Sequence, residues 1–181
     1  MPDIDADIKL ASVSGDSLAF SRLRKFILSD AMSDRLYDAI SVYLDGAPIV
    51  DWVIAERFVR YPRDPLIAAA TINSAAMRSC PSLQFWRAVE SVACGEAWDE
   101  GSDARIQAIL ALHKHPGGCS RGIKEILLRG LGDASPVVRD SSAISAQRCF
   151  GIPEPEVISG CGDGNLPGRI GPSIEKWLKT T

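Results

Sequence analysis

The chain has 181 residues, 46% of them hydrophobic and 24% charged, with a formal net charge of −3. That composition excludes a disordered polymer and suits one domain, or one stretch of repeats, burying roughly two-thirds of its unfolded surface. No apolar run approaches the roughly 20 residues needed to cross a bilayer. The acidic start, Met1-Pro2-Asp3-Ile4-Asp5-Ala6-Asp7, lacks the basic opening of a signal peptide, so a cytoplasmic protein is expected.

Residues 1–16 hold Asp3, Asp5, Asp7 and Asp16 against Lys9, which accounts for the whole −3. Beyond them acids and bases balance at 19 each, so the segment reads as an acidic N-terminal arm on a neutral body. From there helical signals recur, and strand signals (sustained alternation, Asn-Gly or Asp-Gly turns) do not. Helices are expected over 18–29, 34–44, 49–60, 65–77, 82–94, 103–114, 120–131, 135–149 and 173–179. Asp64-Pro65 and Ser135-Pro136 place a capping residue before a proline at the first helical position, where the missing N–H costs nothing. Ser33 and Ser102 suit two more caps, and Gly46, Gly117-Gly118, Gly132 and Gly151 suit helix ends.

Helices this short are not stable alone in water, so each must bury a face. In the third, Trp52, Ala55 and Val59 recur at helical spacing beside Phe58, while Glu56, Arg57 and Arg60 project elsewhere. Leu83, Trp86, Val89 and Ala93 form a similar stripe, and both tryptophans read as core. Five cysteines (Cys80, Cys94, Cys119, Cys149, Cys161), odd in number and without a C-x-x-C, predict reduced, buried thiols. Residues 151–181 read as a Gly/Pro-rich loop followed by a capping helix.

A repeat runs through the middle. Leu36, Ile67, Ile106 and Val138 fall in register, with Ala39, Ala70, Ile109 and Ser141 three positions on. Ser41, Ile72, Ala111 and Ala143 follow five positions on. Each such helix is followed by a break and a second helix, and such pairs bury their faces only by stacking.

Leu128-Arg129-Gly130-Leu131-Gly132-Asp133-Ala134-Ser135-Pro136-Val137-Val138-Arg139-Asp140 resembles the HEAT family, including its bacterial lyase-like branch. It matches the end of one repeat, the Asp-containing turn and the x-Pro-x-Val-Arg start of the next; Asp64-Pro65-Leu66-Ile67 is a second match. The resemblance covers about residues 17–150. It implies an all-α fold: a short right-handed α-solenoid of antiparallel helix pairs with atypical terminal caps. The repeat arginine stands only at Arg139, with Tyr37, Ala68 and Gln107 at the matching places, so the family's Asp–Arg ladder is expected to be incomplete. The resemblance specifies no activity.

The residues add no catalytic or metal motif. His113 and His115, the only histidines, are spaced i, i+2 and read as surface or C-cap groups, with no third ligand for zinc. With both bases in one tripeptide there is no serine triad. Gly160-Cys161-Gly162-Asp163-Gly164-Asn165 lacks the Lys-Ser/Thr of a P-loop and the carboxylates of an EF-hand. No cofactor or metal is expected, and no enzyme activity.

One charge pattern remains. In HEAT-like proteins the second helix of each pair lines the concave face, and here those helices carry Arg22, Arg24, Lys25, Arg57, Arg60, Arg87, Arg121, Lys124 and Arg129. Only Asp51, Glu56, Glu90 and Glu125 oppose these nine, whereas the first helices balance. A basic concave groove focuses potential on a partner. The expected function is therefore a non-enzymatic protein-binding module, most specifically a bacterial inhibitor or immunity-type protein whose partner is a co-encoded toxin. The alternative is a nucleic-acid-binding protein of the HEAT-like DNA glycosylase type, in which Trp52 with Glu56, or Trp86 with Glu90, would resemble the base-handling pair.

Overall fold

A computed structural model describes residues 3–29, 34–48, 51–61, 64–95, 103–151 and 179. Among these every regular element is helical. The elements are α1 (Ile4–Ser14), α2 (Ser17–Leu28), α3 (Leu36–Gly46), α4 (Trp52–Phe58), α5 (Pro65–Met77), α6 (Leu83–Ala93), α7 (Asp103–Ala111), α8 (Arg121–Leu131) and α9 (Pro136–Phe150). A 3-10 turn, Leu112–Lys114, extends α7. Ser33, Ser102, Cys161, the 160–165 glycines and most of the expected terminal helix lie outside the described residues. No helix of the described residues is long and apolar enough to cross a membrane.

The helices begin where a short polar side chain can satisfy an orphan N–H of the first turn. Asp16 accepts from Ala19 N–H at 2.6 Å, Asp64 from Leu66 N–H at 2.8 Å and Ser82 from Phe85 N–H at 3.2 Å. Pro65 and Pro136 open α5 and α9 as their positions require, although the Ser135 side chain makes no capping bond. Gly15 and Gly151 close α1 and α9 with φ of 65° and 62°, a conformation that a Cβ would strain.

Residues 4–14, read from the sequence as an arm, form α1. Asp3 caps it, accepting from Asp5 and Ala6 N–H. Ala11 is buried, with Ile4 and Ile8 packed against the core beneath. Its acids are committed within the fold: Asp7, 3% exposed, is paired with Arg22 at 2.5 Å, and Asp5 with Arg35 at 2.8 Å.

The odd-numbered helices pack in sequence, α1 on α3, α3 on α5, α5 on α7 and α7 on α9. The even-numbered helices form a second layer in which α4 meets α6 and α6 meets α8, over shorter stretches. Small residues buried in the odd-numbered helices (Ala39, Ala68, Ala75, Ala108, Ala146) let helix backbones approach closely. Between the layers run two core clusters, one centred on α1–α4 and the other on α5–α9. Trp86 and Phe85 meet edge to face in the second, and Trp86 donates its N–H to the Cys80 carbonyl at 2.7 Å, so a fully buried indole keeps its polar atom satisfied.

The buried positions of α3, α5, α7 and α9 fall in a different register from the one read in the sequence. Buried positions align as Leu36, Ala68, Arg105 and Val138, each followed by pairs of buried residues at i+3 and i+4. Ile67 is buried one position early, and Ile106 is only partly buried. The slip at α7 has a definite cause: a core position is filled by an arginine. Among the described cysteines Cys80 is buried, and Cys94, Cys119 and Cys149 are half-buried. Burial pushes Cys80 up to about 11 and, together with the adjoining Cys119, raises Cys149 as well.

Candidate functional site

All nine basic residues read from the sequence belong to the even-numbered layer, but they divide into two groups. Arg22 donates to Asp7 of α1 at 2.7 Å, Arg24 pairs with Asp51, the cap of α4, at 2.5 Å, and Arg121 pairs with Glu125 one turn on at 3.1 Å. Arg57 donates to the Leu28 carbonyl at 3.2 Å and lies over the Phe58 ring. These four hold helices to one another or to themselves. Lys25, Arg60, Arg87, Lys124 and Arg129 have no ion pair or hydrogen bond among the described residues. Four of the five are exposed and Lys124 is partly so. The layer's free positive charge is thus concentrated on these five.

The two glutamates of the alternative reading are held by structural partners. Ser82 donates its hydroxyl to Glu56 while its oxygen caps α6, so Glu56 ties α4 to the start of α6. Glu90 lies 3.6 Å from His115 Nε2. Gly117 N–H donates to His115 Nδ1 at 2.9 Å, which places the ring proton on Nε2, facing Glu90. The same ring stacks edge-on against Trp86 at 5.1 Å. Trp86 has no exposed face to offer an extruded base, and Trp52 is partly buried against the core.

His113 faces the other way from His115, as the i, i+2 spacing requires, and its Nδ1 meets the Leu110 carbonyl at 2.7 Å. Burial holds it below the usual histidine range; Arg148 and Lys114 add to that, and the Leu110 bond opposes it. The folded pKa therefore lies under the unfolded value of 6.5. In the interval the unfolded chain binds a proton that the folded chain does not, so this contribution to stability is present above about pH 6.5 and is lost as pH falls through the folded value. Thermal melts of the protein and of His113→Gln from about pH 7.5 to about pH 5 should show the wild-type advantage shrinking toward acid. A gap that stays constant would remove His113 from the pH response.

Sequence reasoning missed the arginines that tie α7 to the α8–α9 turn and the end of α5 to the end of α3. Arg105 of α7, 8% exposed, meets Asp133 in the α8–α9 turn at 2.6 Å and donates to the Ala93 carbonyl at 3.3 Å. Arg78, just past α5, donates to the carbonyls of Leu44, Asp45 and Ala47 at the end of α3. Arg139 closes its own turn on the Asp133 and Ala134 carbonyls. Asp133 was visible as the aspartate of the repeat turn, but its partner stands two positions before Gln107, where the motif led the eye. Among the described residues no group of three or more His, Cys, Asp or Glu is placed to hold a metal ion.

Comparison with known proteins returns no match: no protein-family model, no curated protein and no solved structure is similar to this chain.

Proposed function

We propose that this chain is a non-enzymatic protein-binding module, built as a short right-handed α-solenoid of antiparallel, HEAT-like helix pairs. The alternation of two helix layers supports that architecture, as does the meeting of the C-terminal ends of α5 and α7 in one place. The observation that carries the function is the set of five cations without an ion pair or hydrogen bond among the described residues, Lys25, Arg60, Arg87, Lys124 and Arg129, on a single layer. The partner is an acidic protein surface. A basic partner held by the N-terminal acids is disfavoured, because Asp5 and Asp7 are already paired inside the fold. An inhibitor or immunity-type protein is the narrower form of the reading.

Within that reading, the basic layer takes the side of the stack opposite to the groove that the resemblance implies. Odd-numbered helices lie along one another more extensively than even-numbered ones, and in a curved two-layer stack the tighter layer is the inner one. The basic residues then occupy the outer side.

The test is co-expression with the product of the neighbouring gene. A one-to-one complex measured by light scattering should be lost in the triple variant Arg60→Glu, Arg87→Glu, Arg129→Glu, whose stability stays within about 0.5 kcal/mol of wild type because these three side chains are exposed. A complex indifferent to the triple variant would sink the basic-surface reading. Binding to a short DNA duplex with a steep salt slope, close to one unit per phosphate neutralised, would instead support the nucleic-acid alternative.

A further inference from the structure

The opposite layer carries a second feature that the basic surface does not use. Where the C-terminal ends of α5 and α7 meet α9, the surface opens into a cleft of about 140 Å³. Its floor is apolar, from Ala76, Leu110 and Ala111, with Met77, 65% exposed, standing at the lip. Asn73 and Gln107 bring amide groups to the wall. Among the described residues the charged groups of the lining are Lys114 and Arg148, beside the titratable His113, with no aspartate or glutamate. Neither Lys114 nor Arg148 makes an ion pair or hydrogen bond among the described residues. Lys114 and Arg148 thus bring two cations to one small space beside the His113 imidazole, with no acidic side chain among the described lining residues.

We propose that this cleft receives the C-terminal residue of a partner polypeptide, its apolar side chain on the Ala76–Leu110 floor and its α-carboxylate against Lys114 and Arg148. The volume falls well below the ~300 Å³ at which drug-sized ligands begin to fit, so the cleft takes one side chain. Apolar floor and cations line the same small space, and the occupant must deliver an apolar group and an anion together. A chain terminus does this on a single Cα. An internal acidic residue carries its charge at the end of its own side chain and needs a second residue on the same face for the apolar part, and a cleft of about 140 Å³ does not take two side chains. The amides of Asn73 and Gln107 are suited to the last peptide group, which has both a donor and an acceptor to satisfy.

This site shares no residue with the basic surface of the even-numbered helices, and either can fail alone. The test titrates the isotope-labelled full chain with the tripeptide acetyl-Gly-Ser-Leu bearing a free carboxyl group, and reads amide shifts by NMR. Shifts should centre on Leu110, His113 and Arg148. The same peptide as its carboxamide should bind at least about tenfold more weakly, as expected for loss of a hydrogen bond to a charged group. Acetyl-Ser-Asp-Gly-amide, with an acid but no apolar end, should be equally poor. Lys114→Gln with Arg148→Gln should reproduce the loss on the free acid, and Arg87→Gln should leave binding unchanged. Equal binding of acid and amide, shifts confined to α2, α4, α6 and α8, or no shift with any probe would each overturn the proposal. The comparison of acid with amide is made on the unaltered protein, so it stands whatever the variants do.

Discussion

Asp133→Ala should destabilise the protein by about 3–5 kcal/mol, measured by urea denaturation, the loss typical of removing one member of a buried ion pair. The pair is unusual here in occupying a buried position of α7. Arg105 fills the place that Leu36, Ala68 and Val138 fill in the other odd-numbered helices. Its side chain is 9% exposed and that of Asp133 11%, so neither charge has water to fall back on. Asp133 also shapes the backbone that follows it, because its other oxygen accepts from Ser135 N–H at 2.9 Å and sets the turn that starts α9. Asp133→Asn keeps an oxygen for that turn and loses the charge, and it should fall between wild type and Asp133→Ala. Replacing the guanidinium as well, Arg105→Met with Asp133→Ala, should recover part of the loss, because no charge is then left in the core without its carboxylate. An Asp133→Ala protein within about 0.5 kcal/mol of wild type would mean that the pair does not hold α7 to the α8–α9 turn.

That pair also marks where sequence reading reached its limit. Periodicity and capping located eight of the described helices because both are local: an aspartate or serine, a proline and an apolar stripe lie within a few residues of one another. Register is not local. A pattern search places a hydrophobic residue at each core position and so selects Ile106, whereas the fold uses Arg105, balanced by a carboxylate 28 residues away. The first helix was missed for the opposite reason. Its charge drew attention, although Asp3 as a cap and Ile4, Ile8 and Ala11 at helical spacing were signals enough. Charge counting found the basic layer but not its partition, since Arg22 and Arg24 meet their acids across 15 and 27 residues. The cleft was invisible for the same reason, with Lys114 and Arg148 far apart in the chain and brought together only by the packing of α7 on α9.

The second large effect is expected at Gly130, near the C-terminal end of α8 where it packs on α9. A Cβ there would stand 2.0 Å from Ser142 Oγ and 3.0 Å from Ser142 Cβ. Rotating the hydroxyl relieves the first contact but not the second, which is set by the two backbones. Ser142 and Val138 are fully buried on the facing side, and Leu127 packs one turn earlier, so the helices can separate only by opening the core. Gly130→Ala should therefore cost about 1–3 kcal/mol from overpacking. The cost appears even though alanine favours a helix over glycine by about 1 kcal/mol. Gly122→Ala on the same helix is the control, because its Cβ would meet only Ser120 Oγ at 3.8 Å. That variant should be neutral or slightly more stable. Ser142→Gly combined with Gly130→Ala removes the obstructing Cβ from the other side and should restore much of the loss. The recovery stops short of wild type, because glycine then sits within α9. Thermal melts of the four proteins decide the matter. If Gly130→Ala melts no lower than Gly122→Ala, the α8–α9 crossing is looser than the 3.0 Å separation requires, and the role of small residues in drawing these helices together falls with it.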